Sequence, residues 1–398
     1  MKRAYITTLL TCLSIIAVVF ALSYSRGQGR AMKSVTVGFI YESDESAPYT
    51  YNFALAQTLL EEELRDSVNI ITRNNVPDDS VEETLNDLVT QGCNIVFTNC
   101  HSKEFAALAA SFPDVQICQV SDMENMPEER PDNYHTFNGK IYQARYVSGV
   151  AAGLKLKELI DNGTITSDEA VVGYVGAFPT AAVISGYTSF LTGIRSVVPE
   201  AVMRVKYTQS WASYRDEKAC AKDLIDEGCI VISQHSDTTG PAIACEEAYT
   251  GSPLIFVGCN RGLLDIAPAT ALLSIRINWA PYIIGAVKSV MNHRSLESGV
   301  PGDSFGNDIV AGFSDNALEI MDLNGNLAAK GTQKAIDEAV KTVTSDPAVA
   351  FRGNYTGVDP DDPSDTIDLS DGFVENAKSS APEFHYVLED IIVDAQPE

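Results

Sequence analysis

The sequence predicts an α/β protein built as two doubly wound parallel-sheet lobes behind an N-terminal apolar segment. Three observations carry this expectation. Short apolar runs alternate with amphipathic helical patterns through most of the 398 residues, the signature of strands joined by crossover helices. The alternation comes in two series of similar order, which two lobes explain more economically than one very wide sheet. Ahead of both series, residues 4–25 carry no charged side chain.

The leader comes first. At 1.5 Å rise per residue a helix over 4–25 would be about 33 Å long, enough for a hydrocarbon core of about 30 Å. Lys2 and Arg3 precede it, as the positive-inside rule expects of an exported body. An uncleaved anchor fits this run, and so does a cleaved signal ending near Ala21-Leu22-Ser23. Lipidation at Cys12 fits less well, since few apolar residues precede it and many follow. All three readings export the body.

In the first series, residues 35–41 read as a buried strand and 52–64 as a helix with Phe53, Ala56, Leu60 and Leu64 on one stripe. A strand at 68–72 follows, then a helix at 80–91 opened by Ser80-Val81-Glu82-Glu83, a capping-box pattern. Residues 94–98 (strand), 105–112 (helix) and 115–120 (strand) continue the alternation. A long helix at 141–160 leads into the second series: strand 170–175, helix 181–195, strand 202–207, helix 216–227, strand 229–233, helix 240–248 and strand 253–257. Strand 271–277, helix 280–291 and helix 332–344 follow, with short strands near Phe351 and at 385–393. The domain reading is 1–32 signal peptide or anchor, 33–137 first lobe, 138–273 second lobe, 274–306 return to the first lobe, and 307–398 completion of the second.

Composition excludes several functions. The chain has 54 acidic and 28 basic side chains, a formal net charge of −26. Residues 1–32 hold four of the basic groups and no acid, which leaves a net charge of −30 from residue 33 onward. No nucleic-acid surface is expected, because clustered Lys and Arg are needed to neutralise phosphates. Six Asp fall within 359–371; this run lacks the central Gly and terminal Glu of a calcium loop, so a solvated loop is expected. The eight Cys and five His follow no CxxC or HxxxH spacing, and packed free thiols are expected. Neither a Walker loop nor a Gly-x-Ser-x-Gly elbow occurs. GYVGAFP at 173–179 is not GxGxxG, and Ser233, His235 and Asp237 lie too close along one strand to read as a triad. Neither catalysis nor a cofactor is called for.

Five segments then occur together in register: NGKIYQARYVSGVAAG (138–153), VGYVGAFP (172–179), Ser210-Trp211 ahead of Arg215-Asp216-Glu217, SQHSD (233–237) and INWAPY (277–282). With them the chain resembles the basic-membrane-protein (BMP) family of solute-binding proteins that serve ABC importers of purines and nucleosides, over roughly 35–395. The resemblance implies a type I periplasmic-binding-protein fold with three crossovers between lobes. It also implies a purine base or nucleoside in the cleft, an ABC permease as partner, and a place at the cell membrane facing the extracytoplasmic side. A ligand-sensing ectodomain and a nucleoside-processing enzyme are the alternatives.

Carried over residue by residue, the likeness nominates Tyr49, Phe178 and Trp211 as aromatic walls in loops at carboxyl ends of strands, where such sheets bind ligands. Asp237 would accept from a base N–H; its alternative is the N-cap of the helix at 240. His235 would orient Asp237. Asn99 and Asp122 end first-lobe strands and are polar candidates or turn residues. Asn260 ends a strand of the second lobe. Trp279 belongs to the crossover motif and is ligand wall or interlobe packing. The chain departs from the purine-base pattern at Arg261-Gly262-Leu263, where relatives carry Ser-Asp-Met, at Ile277, and in lacking a lipobox. These departures bear on the ligand more than on the fold.

Overall fold

The computed structural model describes residues 31–122 and 130–395; the leader, with its anchor, signal and Cys12 readings, lies outside them. The first series comprises β1 (Val35–Ile40), α1 (Pro48–Leu64), β2 (Val68–Arg73), α2 (Val81–Thr90), β3 (Ile95–Thr98), α3 (Glu104–Ala109), β4 (Gln116–Val120) and β5 (Tyr134–Gly139). Helix α4 (Ile141–Asp161) opens the second: β6 (Val171–Gly176), α5 (Ala181–Arg195), β7 (Val202–Tyr207), α6 (Tyr214–Asp226), β8 (Val231–His235), α7 (Gly240–Ala248), β9 (Ile255–Cys259) and β10 (Ala271–Ile277). Then come α8 (Ala280–Met291), β11 (Asp303–Ser304), β12 (Asp308–Ala311), β13 (Leu318–Met321), α9 (Thr332–Ser345), β14 (Thr356–Val358), β15 (Thr366–Asp368), β16 (Val387–Leu388) and β17 (Ile392–Ala395).

Two seven-stranded sheets result, ordered β11-β12-β5-β4-β3-β1-β2 and β13-β10-β9-β8-β6-β7-β17, with a small sheet β15-β14-β16. The chain passes between the large sheets after Gly139, after Ile277 and after Ala311. The return to the second sheet therefore falls after β12, not at 307, because Asp308–Ala311 pairs in parallel with Thr136–Gly139. Strand β5 was not anticipated; His135, Asn138 and Gly139 interrupt the apolar pattern that announces the other strands. The expected strand near Phe351 is instead a 3-10 turn, Pro347–Phe351, and the expected strand at 385–393 divides. Its first part joins the small sheet, while Ile392–Ala395 lies parallel beside Met203–Lys206. Helix α2 begins where the capping-box pattern placed it, but Ser80 makes no side-chain cap bond to it.

Both sheets are buried by the alternation that predicted them. Val37, Phe39, Ile95 and Phe97 are fully covered in the first, as are Val172, Tyr174, Val231 and Val257 in the second. All seven described cysteines are free, and six are buried. No helix among the described residues is long and apolar enough to cross a membrane.

The second lobe depends on one close helix contact. On α4, Gly149 faces the Phe190 carbonyl of α5; on α5, Gly193 faces the Tyr146 carbonyl of α4. A Cβ at either position would lie well inside van der Waals contact of backbone oxygen, which cannot swing aside as a side chain can. Gly193→Ala should therefore force the two helices apart and lower stability by about 1–3 kcal/mol. Urea unfolding measures this; an unchanged midpoint would mean the helices do not meet so closely.

Candidate functional site

Parallel sheets expose their ligand-binding loops at the carboxyl ends of strands, and the two lobes turn those ends toward each other. From the first lobe come Tyr49 at the start of α1, Glu42 after β1, Asn99 and His101 after β3, and Asp122 after β4. From the second come Phe178 after β6, Trp211 after β7, Asp237 after β8 and Asn260 after β9.

Two contacts face each other across the cleft among the described residues. The Asp237 carboxylate accepts the Tyr49 backbone N–H at 2.8 Å to Oδ1 and 3.0 Å to Oδ2. Tyr49 is the second residue of α1, whose N-cap, Ala47, has no side-chain acceptor. Asp237 thus serves one of the orphan donors of a helix N-terminus and meets the positive end of its dipole. The capping alternative is met in kind, but across the cleft; the helix at 240 has Thr239 as its own N-cap. Asn260 Nδ2 also donates to Asp237 Oδ1 at 3.2 Å. The second contact is aromatic. The rings of Trp211 and His101 lie within 5° of parallel with centroids 6.3 Å apart. The gap between the planes is thus at most 6.3 Å, about 0.7 Å short of the roughly 7 Å that holds a flat ring at about 3.5 Å from each face, so a ring would enter only as the lobes part slightly. Phe178 stands at 62° to Trp211, 5.7 Å away, and His235 lies 6.4 Å from it.

The loops that present these groups are held from beneath. Glu217, on α6 and fully buried, accepts from the Ser213 N–H (3.1 Å), the Ser236 hydroxyl (2.8 Å) and the Thr238 N–H (3.1 Å). The Asp237 N–H donates to the Trp211 carbonyl at 2.8 Å. One carboxyl therefore sets the positions of both Trp211 and Asp237. It was seen in the sequence only as part of an Arg-Asp-Glu motif.

Other expected residues have structural work. Asn99 is fully buried; its amide donates to Thr50 Oγ1 (3.1 Å) and its oxygen accepts the Glu42 N–H (3.0 Å). Trp279 is 2% exposed and stacks on Phe53 with centroids 4.6 Å apart, edge-on to Phe137 and Tyr49. It packs the first-lobe core, with its indole Nε1 buried and without a partner. The Tyr49 ring also packs here, edge-on to Phe53 at 5.5 Å. Asp122 meets His101 Nδ1 at 2.5 Å, and Glu42 lies 3.8 Å from Nε2. His101, which faces Trp211 across the cleft, is not among the residues nominated from sequence; its one signal is its place just past the end of β3. Arg261, the departure from the purine-base pattern, instead lines an open pocket of about 600 Å³ with Tyr51, Asp265, Arg276 and Asp322.

The electrostatics follow from burial among carboxyls. Burial raises the Asp237 pKa from 3.8 to about 7, with the Tyr49 and Asn260 hydrogen bonds opposing. Burial also raises Glu42, against the pull of His101. Burial opposes protonation of His101, but the Asp122 hydrogen bond and the charges of Glu42 and Asp122 outweigh it and raise its pKa. His235 is driven well below its ordinary value by burial and by the nearby Arg145 charge. The cleft thus sets carboxyl groups beside an imidazole shifted toward its protonated form on one side, and an imidazole shifted toward its neutral form on the other.

A family model described as ABC transporter substrate-binding protein PnrA-like, Bmp, matches residues 36–349. A purine-binding protein of Brucella abortus (strain 2308) is 29% identical over 270 residues, covering 67% of this chain and 71% of that protein. A Haloferax volcanii protein, provisionally named as an ABC transporter glucose-binding protein, is 32% identical over 142 residues, 36% of this chain and 32% of its own. Among solved structures, an ABC transporter solute-binding protein from Conexibacter woesei superposes with a TM-score of 0.59 at 17% identity, covering 78% of this chain and 97% of that one. At such identity the likeness carries the fold alone.

Among the raised groups, Asp237 is the one that meets the opposite lobe, through the Tyr49 N–H, whereas the charged partners of His101 and Glu42 share their own lobe. Burial of Asp237 against the first lobe makes it bind its proton more tightly closed than open, so its contribution favours closure below the ordinary pKa and is lost as pH rises through the raised one. For Asp237 that window runs from about pH 4 to about pH 7, with a slope of up to about tenfold per pH unit. The ligand-free closed fraction, read by energy transfer between labels on the two lobes, should fall as pH rises from 5 to 8. Asp237→Asn should remove about one proton from the linkage; an unchanged slope would show that closure does not bury this carboxyl.

Proposed function

Because the chain belongs to the Bmp family of ABC transporter substrate-binding proteins, we propose that it is exported, closes its two lobes on a purine base or nucleoside, and hands that ligand to the permease of an ABC importer. The observation that carries the ligand class is the near-parallel Trp211–His101 pair, set across the cleft within about 1 Å of the spacing that a single intercalated ring needs. Each aromatic stack on a base is worth about 1–3 kcal/mol. Asp237 adds a directional acceptor. A base N–H can replace the Tyr49 N–H on that carboxylate, in a charge-assisted bond of about 1.5–3 kcal/mol. The purine-binding name of the Brucella relative supports the same class.

Capture then works by population shift. Trp211 and Asp237 belong to one lobe and His101 and Tyr49 to the other, so a ligand gripping both gains its full contact energy only in the closed form. Glu42, Asp122 and Asp237, in a body of net charge −30, disfavour a phosphate, so the free base or nucleoside is preferred over the nucleotide. On this reading the ligand leaves chemically unchanged. The uncharged run at 4–25 would anchor or export the protein.

A thermal-shift screen over bases, nucleosides, nucleotides, sugars and amino acids tests the ligand class. A ligand present at 1,000 times its Kd contributes about 4 kcal/mol, a rise of several degrees. Glucose stabilising while no purine does would overturn the reading. Trp211→Ala should weaken purine binding at least tenfold, measured calorimetrically; unchanged affinity would remove Trp211 from the site.

A further inference from the structure

We propose that Arg145 is a positioning residue for ligand capture: from within the second lobe it fixes the groups that β8 and β9 turn to the cleft, a role that rests on the purine-binding reading of that cleft. Arg145 lies on α4 and is fully buried. Its Nη1 reaches Ser233 Oγ at 3.5 Å, its Nη2 donates to Cys259 Sγ at 3.1 Å, and its Cζ stands 5.5 Å from the centre of the Tyr174 ring. Among the described residues it forms no salt bridge, unlike Arg73, Arg130, Arg204, Arg276 and Arg352. Its Nε is buried without a partner. A guanidinium is always charged, and a buried charge without a counter-charge opposes folding. An apolar side chain of similar length would fill the space at less cost, so packing alone does not account for this residue.

Strand register shows what the cation serves. Tyr174 and Ser233 are partners across β6 and β8, and Gly176 and His235 form the next row on the same face. His235 therefore stands one row beyond the guanidinium's partners, at the carboxyl ends of the strands. Gly186 of α5 leaves room for its ring, since a Cβ there would stand 2.7 Å from His235 Nδ1. Ser233 gives its own proton to the Val257 carbonyl at 2.9 Å, which leaves its oxygen to accept from Arg145.

From Cys259 a chain of donors runs on to the cleft. The sulfur accepts from Arg145, so its S–H turns away, toward Asn260 Oδ1 at 3.6 Å. Asn260 Nδ2 then donates to Asp237 Oδ1 at 3.2 Å. The buried cation thus sets the direction of the thiol, and the thiol sets which end of the Asn260 amide meets the carboxylate.

The charge acts on His235 as well. Around that ring the titratable and charged groups are Arg145 from α4, Tyr174 from β6 and Cys259 from β9, with Asp237 two residues along its own chain; α5 presents Gly186. Burial raises both the Tyr174 hydroxyl and the Cys259 thiol, so neither carries charge near neutrality. Burial lowers His235, and the Arg145 charge lowers it further. The ring beside Trp211, 6.4 Å away, is thereby kept from becoming a second cation.

The test uses the full chain, with adenine and adenosine as probes. Arg145→Met should melt at or above the parent's temperature yet bind the probes at least tenfold more weakly by calorimetry. With the five histidines labelled for magnetic resonance, and His235 assigned through His235→Gln, the His235 titration should move up by about one pH unit in Arg145→Met. Arg145→Gln, uncharged but still a donor, supplies the same two measurements should the Met variant not fold. The proposal falls if a folded Arg145 variant binds the probes as the parent does, or if affinity and melting temperature fall together while the His235 titration stays in place. It falls too if neither variant folds, because Arg145 is then structural. A parent that binds neither probe overturns the purine reading instead; the His235 titration needs no ligand and then decides the role of Arg145 by itself.

Discussion

The closed cleft is organised by a carboxylate of one lobe resting on the first turn of a helix in the other. Asp237 accepts a backbone N–H that α1 cannot satisfy itself, because Ala47 stands where a capping side chain would. The bond uses no side chain of the first lobe. Selectivity at this point therefore rests on Asp237 and on whatever can compete for it. The same carboxyl is held by Asn260 and positioned through the Glu217 network that also seats Trp211. A ligand that takes Asp237 from α1 frees a helix N–H and gains a buried acceptor, so the exchange nearly conserves hydrogen bonds. Under the proposed function, the net gain on binding would then come from stacking between Trp211 and His101.

The fold was legible in the sequence wherever burial is two-sided. Runs such as Val35–Ile40 and Val171–Gly176 are covered by helices on both faces and so are nearly continuous in apolar residues. Strands with other tasks were not legible. Strand β5 carries His135, which bonds Glu297 and Gln116, and Asn138, which bonds the Ser121 carbonyl. Its polar residues serve tertiary contacts, and they erase the pattern. The two- and three-residue strands of the small sheet, and of β11, are too short for any period to register.

Within the site, position was more legible than role. Aromatic and polar residues just past strand ends were nominated because parallel sheets present them there, and Tyr49, Phe178, Trp211, Asp237 and Asn260 do stand around the cleft. What a linear reading lacks is the partner. Trp279 looks equally fit to line a ligand or a core, and only the Phe53 ring 4.6 Å away decides for the core. Asn99 spends its amide on Thr50 and Glu42, neither of which is near it in sequence. His101 gained its meaning only from Trp211, 110 residues later.

The tail adds a constraint that the three crossovers do not supply. At one end Glu375 accepts from Ser185 Oγ on α5, at 3.1 Å, and is fixed to the second lobe. At the other, the Ser380 N–H donates to Asp308 Oδ2 at 2.9 Å and its hydroxyl meets Ser121 at 2.5 Å, both in the first lobe. Between these anchors Asn376 ties the turn by donating to the carbonyls of Ser379, Ser380 and Ala381. Five residues fully extended reach about 17 Å, and a chain folded on itself reaches less. Opening the cleft must therefore leave the anchor points close together, or break buried bonds to Asp308 or Glu375. Ser121 directly precedes Asp122, so the first-lobe anchor sits beside the His101–Asp122 wall of the ring slot.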